Sequence, residues 1–293
     1  MKSFKHHITE KRNIQDLIEK QIIVGKGARQ GQIVFLAGGA GSGKGFARNN
    51  FLEGEKFKVR DVDELKKAFL ILAKTKDKYK EIRGLDLRRT KDVMKMHMFI
   101  KNKGIQDKTL DLLLQGGKLK HLPNILIDTT LAEAKKVDKL VPQFMASGYD
   151  PKNIHIVWVL TNYSIAVKQN RNPERGRIVP EDILLATHEG AANTMWNFIR
   201  KGTPRGVDGG VYIVLGGPEH TVLWEDKEGK PIKTGKKKDT VVVKDFKYLV
   251  MKEPGKSMTK EKDLLGQALS WIRTNVPKST ITKNLFGTGQ KKE

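Results

Sequence analysis

The chain has 293 residues, with 56 Lys plus Arg against 33 Asp plus Glu, a formal net charge of +23 and a pI near 9.9. Hydrophobic residues make up 38%, enough for a core, which excludes wholesale disorder, and the length suits one large domain with appendages or two small ones. No run of about 18 apolar residues exists, the basic N-terminus lacks an apolar signal region and there is no cysteine; a membrane span, a secretory signal, disulfides and thiolate chemistry are excluded, and a reducing cytoplasm is the expected setting.

In chain order, Ile14, Leu17, Ile18 and Ile22 recur at helical spacing and predict an amphipathic helix over 10–24, ended by Gly25, Gly27 and Gly31. The apolar run Gln32 to Ala37 predicts a buried strand. A glycine-rich loop, Gly38 to Gly45, leads to a helix over Phe46 to Leu52. A second strand, Phe57 to Arg60, ends at Asp61-Val62-Asp63, and Glu64 to Leu72 continues as a helix. Residues 86–101 and 107–115 read as basic helices. Asn124 to Ile127 is a strand ending in Asp128-Thr129-Thr130, followed by a helix over Leu131 to Met145 that stops at Ser147-Gly148. A strand over Ile154 to Leu160, a helix from Tyr163, a charged loop over Arg171 to Pro180, a helix over Glu181 to Arg200 and a strand over Val211 to Leu215 come next. Residues 222–250 read as hairpin-like strands around Lys236-Lys237-Lys238, 259–273 as a last helix, and the polar tail from Thr280 as a frayed end. Strands alternating with helices predict an α/β fold: a doubly wound parallel sheet with helical insertions and a small C-terminal α+β extension.

The strongest motif is Gly38-Gly39-Ala40-Gly41-Ser42-Gly43-Lys44-Gly45, which matches G-x-x-x-x-G-K with a strand before it and a helix after it. Glycines let successive backbone N–H groups turn inward around phosphate oxygens, the helix adds its positive end, and Lys44 adds a point charge. The Ser or Thr that normally follows the lysine and ligates Mg²⁺ is Gly45 here, so an acidic residue and water must hold the metal, or binding is weaker; Ser42 is not an obvious substitute. The metal ligands are therefore not assigned.

Ligands of open α/β sheets bind beyond the carboxyl ends of the strands. Asp61, Asp63 and Asp128 fall at such ends. A kinase needs a carboxylate beside the acceptor hydroxyl, to orient it and take its proton. Asp61 reads best as a cap for the helix that follows, and Asp63 as the functional acid, on the expectation that only one of the two faces the substrate. The loop Arg171-Asn172-Pro173-Glu174-Arg175-Gly176-Arg177 offers guanidinium groups that could clamp a transferring phosphoryl group from a mobile lid.

Lys74 to Lys103 is the densest basic stretch, with 11 basic and 4 acidic residues. It is either a solvated helical surface or a contact surface for phosphate backbone. Only Tyr79 and Phe99 interrupt it, so a stacking platform is poorly supported. The seven histidines show no metal-ligand spacing; His97, between Met94 and Met98, reads as packing. Trp158 and Trp196 read as core.

From Gln32 to Asp226 the order of these features resembles the zeta toxin-like P-loop kinases: the loop G-x-G-S-G-K, the strand end Asp61-x-Asp63-x-x-Lys66, Ile127-Asp128-Thr129-Thr130, Gly148-Tyr149, then Arg171 and Arg177-Ile178-Val179-Pro180. The resemblance implies a division into a helical segment (1–30), a P-loop kinase core (31–226) and a basic C-terminal extension (227–293). It implies transfer of the γ-phosphate of ATP, with Mg²⁺, to a hydroxyl; toxin members act on UDP-N-acetylglucosamine. By the same resemblance Lys44 would hold phosphates within the cradle Gly38, Gly39, Ala40, Gly41, Ser42, Gly43, Lys44 and Gly45. Asp63 would be the catalytic base, Asp128 and Thr130 would bind substrate, and Arg171 and Arg177 would clamp phosphate. Asp128 stands where the toxins carry Glu. With Gly45, this departure leaves the acceptor open among a sugar nucleotide, a nucleotide and a nucleic acid, and an inhibitor protein is a further open partner. The competing reading is a basic nucleic-acid-binding protein with a degenerate, non-catalytic P-loop.

Overall fold

The computed structural model describes residues 30–52, 56–115, 122–172, 176–216, 221–223, 241–243, 247–279 and 282–286. The helix expected over 10–24, Lys236-Lys237-Lys238 and the tail from Gly287 lie outside them.

Five strands form the parallel part of a six-stranded sheet: β1 (Ile33–Ala37), β2 (Lys58–Arg60), β3 (Ile125–Asp128), β4 (Ile154–Leu160) and β5 (Val211–Leu215). The sheet order is β2-β3-β1-β4-β5 followed by β8 (Tyr248–Lys252), which runs antiparallel to β5. Every residue of β1 and β4 is buried, as a parallel strand covered on both faces requires. Two apolar layers cover the sheet. Phe35, Ile127, Phe144, Trp158, Met195 and Phe198 lie in the larger layer, and Val34, Leu36, Val157 and Val159 in the smaller.

The helices are α1 (Lys44–Phe51), α2 (Val62–Thr75), α3 (Thr90–Asn102), α4 (Ile105–Gln115), α5 (Lys135–Ala146), α6 (Tyr163–Arg171), α7 (Glu181–Lys201), α8 (Lys262–Asn275) and α9 (Lys283–Phe286). None of the described helices is long and apolar enough to cross a membrane. Helices α2 to α4 form a lobe with its own core of Ala73, Ile82, Met96, Phe99 and Ile100, joined by Phe69 and Tyr79. Phe69, Tyr79 and Phe99 meet edge to face, so the two aromatics of the basic stretch serve this core.

Three expectations shift. Residues 86–89 form a turn rather than the start of α3, because the Asp86 carboxylate accepts from the Arg88 N–H and offers the backbone an alternative to the helix. Helix α5 starts at Lys135, not Leu131: Thr129 Oγ1 accepts from the Leu131 N–H, and Leu131 takes a φ of 50°, a left-handed conformation that a helix cannot continue. The C-terminal strands do not make one hairpin. β6 (Thr221–Leu223) and β7 (Val241–Val243) pair antiparallel, but Tyr248–Lys252 leaves them for the edge of the main sheet, where Leu249 and Met251 join the larger layer beside Ala268 and Ile272 of α8.

Candidate active site

Beyond the carboxyl ends of β1, β2 and β3 lies a cleft of about 1010 Å³. Its floor is the loop between β1 and α1. Gly43 precedes α1 with a φ of 83°, a left-handed turn that a side chain would strain, so the helix can begin at Lys44 with its N-terminus toward the cleft. Gly39 is required for another reason. A Cβ there would stand 2.3 Å from the His188 ring. That histidine, from α7, is buried and donates through Nε2 to the Ala40 carbonyl at 2.8 Å, while Thr187 Oγ1 accepts from the Ala40 N–H at 3.2 Å. Burial pushes His188 down to about 4, so the ring is neutral at pH 7 and the carbonyl fixes its proton on Nε2.

Lys44 Nζ donates to the carbonyls of Gly38 (2.9 Å) and Gly39 (3.3 Å) and lies 3.7 Å from Asp128 Oδ1. Ser42 is a buried member of the loop; its Oγ would meet a Cβ on Gly38 and has no hydrogen-bond partner among the described residues. Among the described residues no group of three or more His, Asp or Glu is arranged to hold a metal ion.

The three acids all line this cleft. Asp61 does cap α2, accepting from the Asp63 N–H at 2.8 Å, yet it faces the cleft beside Asp63. Both acids therefore face the cleft, against the expectation that only one does: Asp61 is still extended as the N-cap residue, and residues two apart on an extended chain share a face. Asp63 is held between cations: Oδ1 is 3.2 Å from Lys66 Nζ, and Oδ2 is 2.5 Å from the Arg177 guanidinium. Asp128 ends β3, and burial pushes its carboxyl above the usual carboxylate range, partly offset by Lys44 and reinforced by Asp61 and Asp63. Thr130 also lines the cleft.

The two arginines singled out by the resemblance, Arg171 and Arg177, part company. Arg177 lines the cleft; Arg171, at the end of α6, pairs with Glu181 and does not line it. The stem of this loop is fixed. Asn170 donates to the Val179 carbonyl at 2.7 Å and accepts its N–H at 2.9 Å, and Val179 packs with Leu184 and with Ala40 of the glycine loop.

Sequence reasoning missed several lining residues. His97, assigned to packing, lines the cleft with Met94 and Gln106 from the helical lobe. Its pKa is lowered by burial first and then by Lys66 and Lys101. Lys136, on the first turn of α5, lines the cleft as well. Burial, reinforced by Arg60 and Lys44 and opposed by Asp128, brings its pKa down to about 8. Arg60, 4% exposed, donates to the Gln106 carbonyl and leaves its Nε without a partner among the described residues. Nothing in the local sequence marks Arg60, Lys136 or His97; in the fold Lys136 comes beside Asp128 and His97 beside Asp63.

Comparison with known proteins adds a family. The zeta toxin family model matches residues 16–227. No curated protein matches the chain. Among solved structures it is similar to one from the PezAT chromosomal toxin–antitoxin system of Streptococcus pneumoniae, at 15% identity over 72% of this chain and 76% of that one, with a TM-score of 0.40. It is similar also to the AvrRxo1-ORF1:AvrRxo1-ORF2 complex with sulphate ions, at 12% identity, 87% and 66% coverage and a TM-score of 0.42. The same complex with ATP gives 11% identity, 86% and 66% coverage and 0.43. Likenesses that distant carry no chemistry across, whereas the family model spans the loop, all three acids and Arg177; the chain belongs to the zeta toxin family.

Proposed function

We propose that the protein is an ATP-dependent phosphotransferase acting on a hydroxyl of a nucleotide-type acceptor. The observation that carries this reading is the meeting, in one cleft, of the glycine loop with Lys44 and of Asp63 clamped by Lys66 and Arg177. Backbone N–H groups of residues 41–45 and the start of α1 hold the phosphates of the donor, and Lys44 exchanges its loop carbonyls for phosphate oxygens. The acceptor oxygen bonds to the γ-phosphorus, the bond from that phosphorus to the bridging oxygen breaks, and ADP leaves. Asp63 orients the hydroxyl and takes its proton. Arg177, already beside Asp63, balances charge on the transferring group. Asp128 and Thr130 position the acceptor. Arg171 stands outside this set, paired with Glu181. Gly45 offers magnesium no hydroxyl, so an acid of the cleft acting through water would have to hold it, and it would supply charge neutralisation at the phosphates.

The test is incubation with γ-labelled ATP and a panel of sugar nucleotides, nucleosides, nucleotides and oligonucleotides. Label transferred to one class, and lost in Lys44→Ala, supports the reading. Salt-dependent nucleic-acid binding with no transfer to any class would leave the non-catalytic reading instead.

A further inference from the structure

The basic stretch from Lys74 to Lys103 is not used by the chemistry above. All 11 of its basic side chains are exposed. Three have carboxylate partners: Arg83 with Asp77, Arg89 with Asp86, and Lys103 with Glu81. The fourth acid, Asp92, accepts from the Asp86 N–H. Lys74, Lys76, Lys78, Lys80, Arg88, Lys91, Lys95 and Lys101 have no ion pair among the described residues. Elsewhere exposed lysines do find acids, as Lys135 with Glu133, Lys139 with Asp107 and Lys256 with Glu253.

Helix α3 gives this charge a direction. Its inner face is Val93, Met96, Phe99 and Ile100. Its outer face, at the three- and four-residue spacing, is Lys91, Met94, Lys95, Met98 and Lys101, with no acid among them. Met94 and Met98, 43% and 46% exposed, stand among these lysines. Met94 and its neighbour His97 also line the cleft, so the face runs continuously to the side where Asp63 stands.

We propose that the outer face of α3 is a docking surface for the phosphodiester backbone of a nucleic acid, leading a hydroxyl of that polymer into the cleft. Row-spaced lysines without acids match a polyanion of regular charge, and the two methionines give apolar contact to sugars and base edges. The aromatics of the lobe are committed to its core, so the surface reads backbone rather than stacking bases. Docking stands on this face alone; delivery of a hydroxyl rests on the phosphotransfer reading.

The experiment is fluorescence anisotropy with the full chain, without ATP, on labelled 20-mers of single-stranded RNA, single-stranded DNA and duplex DNA. Poly-glutamate and anionic vesicles serve as competitors. The triple variant Lys91→Glu, Lys95→Glu, Lys101→Glu is compared with Lys260→Glu, Lys262→Glu, Lys278→Glu, which carries the same charge change on exposed sites of the C-terminal region. Circular dichroism melts show that both fold. The expected result is affinity at least about tenfold weaker for the α3 variant, with the log–log salt slope smaller by about 2 to 3, and little change in the control beyond its net charge. The best of the three polymers identifies which backbone fits. Equal losses in the two variants, or poly-glutamate or vesicles displacing the oligonucleotides at equal charge concentration, would overturn the proposal. ATP binding and transfer, read separately with Lys44→Ala, report on the phosphotransfer reading alone.

Discussion

The two walls of the cleft are built differently. The donor wall is mostly backbone: a glycine loop whose shape is set by left-handed turns and by His188 and Thr187 gripping the two polar groups of Ala40. The opposite wall is side chains from four places, with Asp63 and Lys66 from α2, His97 from α3, Asp128 from β3 and Lys136 from α5. A backbone cradle recognises what all nucleoside triphosphates share. A wall of scattered side chains can change without loss of the fold, and the choice of acceptor resides there.

This contrast predicts where damage is greatest. Lys44→Ala removes the cation carried by the glycine loop itself, and transfer should fall by about 10²–10³-fold, as read by initial rates with labelled ATP. Gly39→Ala should come next: the methyl meets the His188 ring, so the loop must distort and ATP affinity should fall by about tenfold or more in calorimetry. Adding His188→Ala should restore part of that affinity by removing the obstacle. A double variant as poor as the single would show that the distortion does not run through His188.

Acid should weaken the fold through both buried histidines. His188 is held down to about 4 and His155, bonded to Gln32 Oε1 and to the Gly210 N–H, to about 3, each by burial. Their folded pKa values lie below the unfolded value, so the unfolded chain binds more protons as pH falls below about 6.5. Stability from their neutral forms is present above that pH and is lost downward toward pH 4, by about 2 to 3 kcal/mol for each by pH 4.5. Urea titrations between pH 7 and 4.5 should show this, and His155→Gln should flatten it.

Asp63 aside, the effects on the acceptor wall should be smaller and more selective. Lys136 titrates near 8, so raising the pH from 7 to 9 removes its charge. The KM of an anionic acceptor should rise by about tenfold over that range and hardly change in Lys136→Gln, while ATP affinity stays level. The smallest effect belongs to Arg171→Ala. An exposed pair with Glu181 is worth about 0–1 kcal/mol, and the rate should change by no more than about threefold. A larger loss would bring Arg171 into the site despite its position.

The same contrast explains what is legible in the sequence. The loop, the strands and the acids at the ends of β2 and β3 are contiguous patterns, so β1, β4, β5 and the motif around Lys44 can be placed from the residues alone. Arg177 is legible as one of several arginines in its loop; only packing of Val179 against Ala40 separates it from Arg171. Arg60 reads as the last residue of a strand and Lys136 as one of many surface lysines, because burial of a cation depends on distant elements. His97 sits in a methionine-flanked helix where packing is the simpler account, yet the curvature of the lobe turns that side of α3 to the cleft. The final strand is misplaced by pattern because its apolar residues suit a hairpin and a sheet edge equally, and only pairing with β5 decides.

The central claim is that Asp63 presents a hydroxyl to a triphosphate seated on the Lys44 loop. Its most direct measurement compares wild type and Asp63→Asn in labelled γ-phosphate transfer, with ATP affinity measured on the same samples. The account predicts that the variant binds ATP within about threefold of wild type while transfer drops by about 10²–10⁴-fold. Transfer at the wild-type rate in Asp63→Asn, with ATP bound equally well, would contradict it.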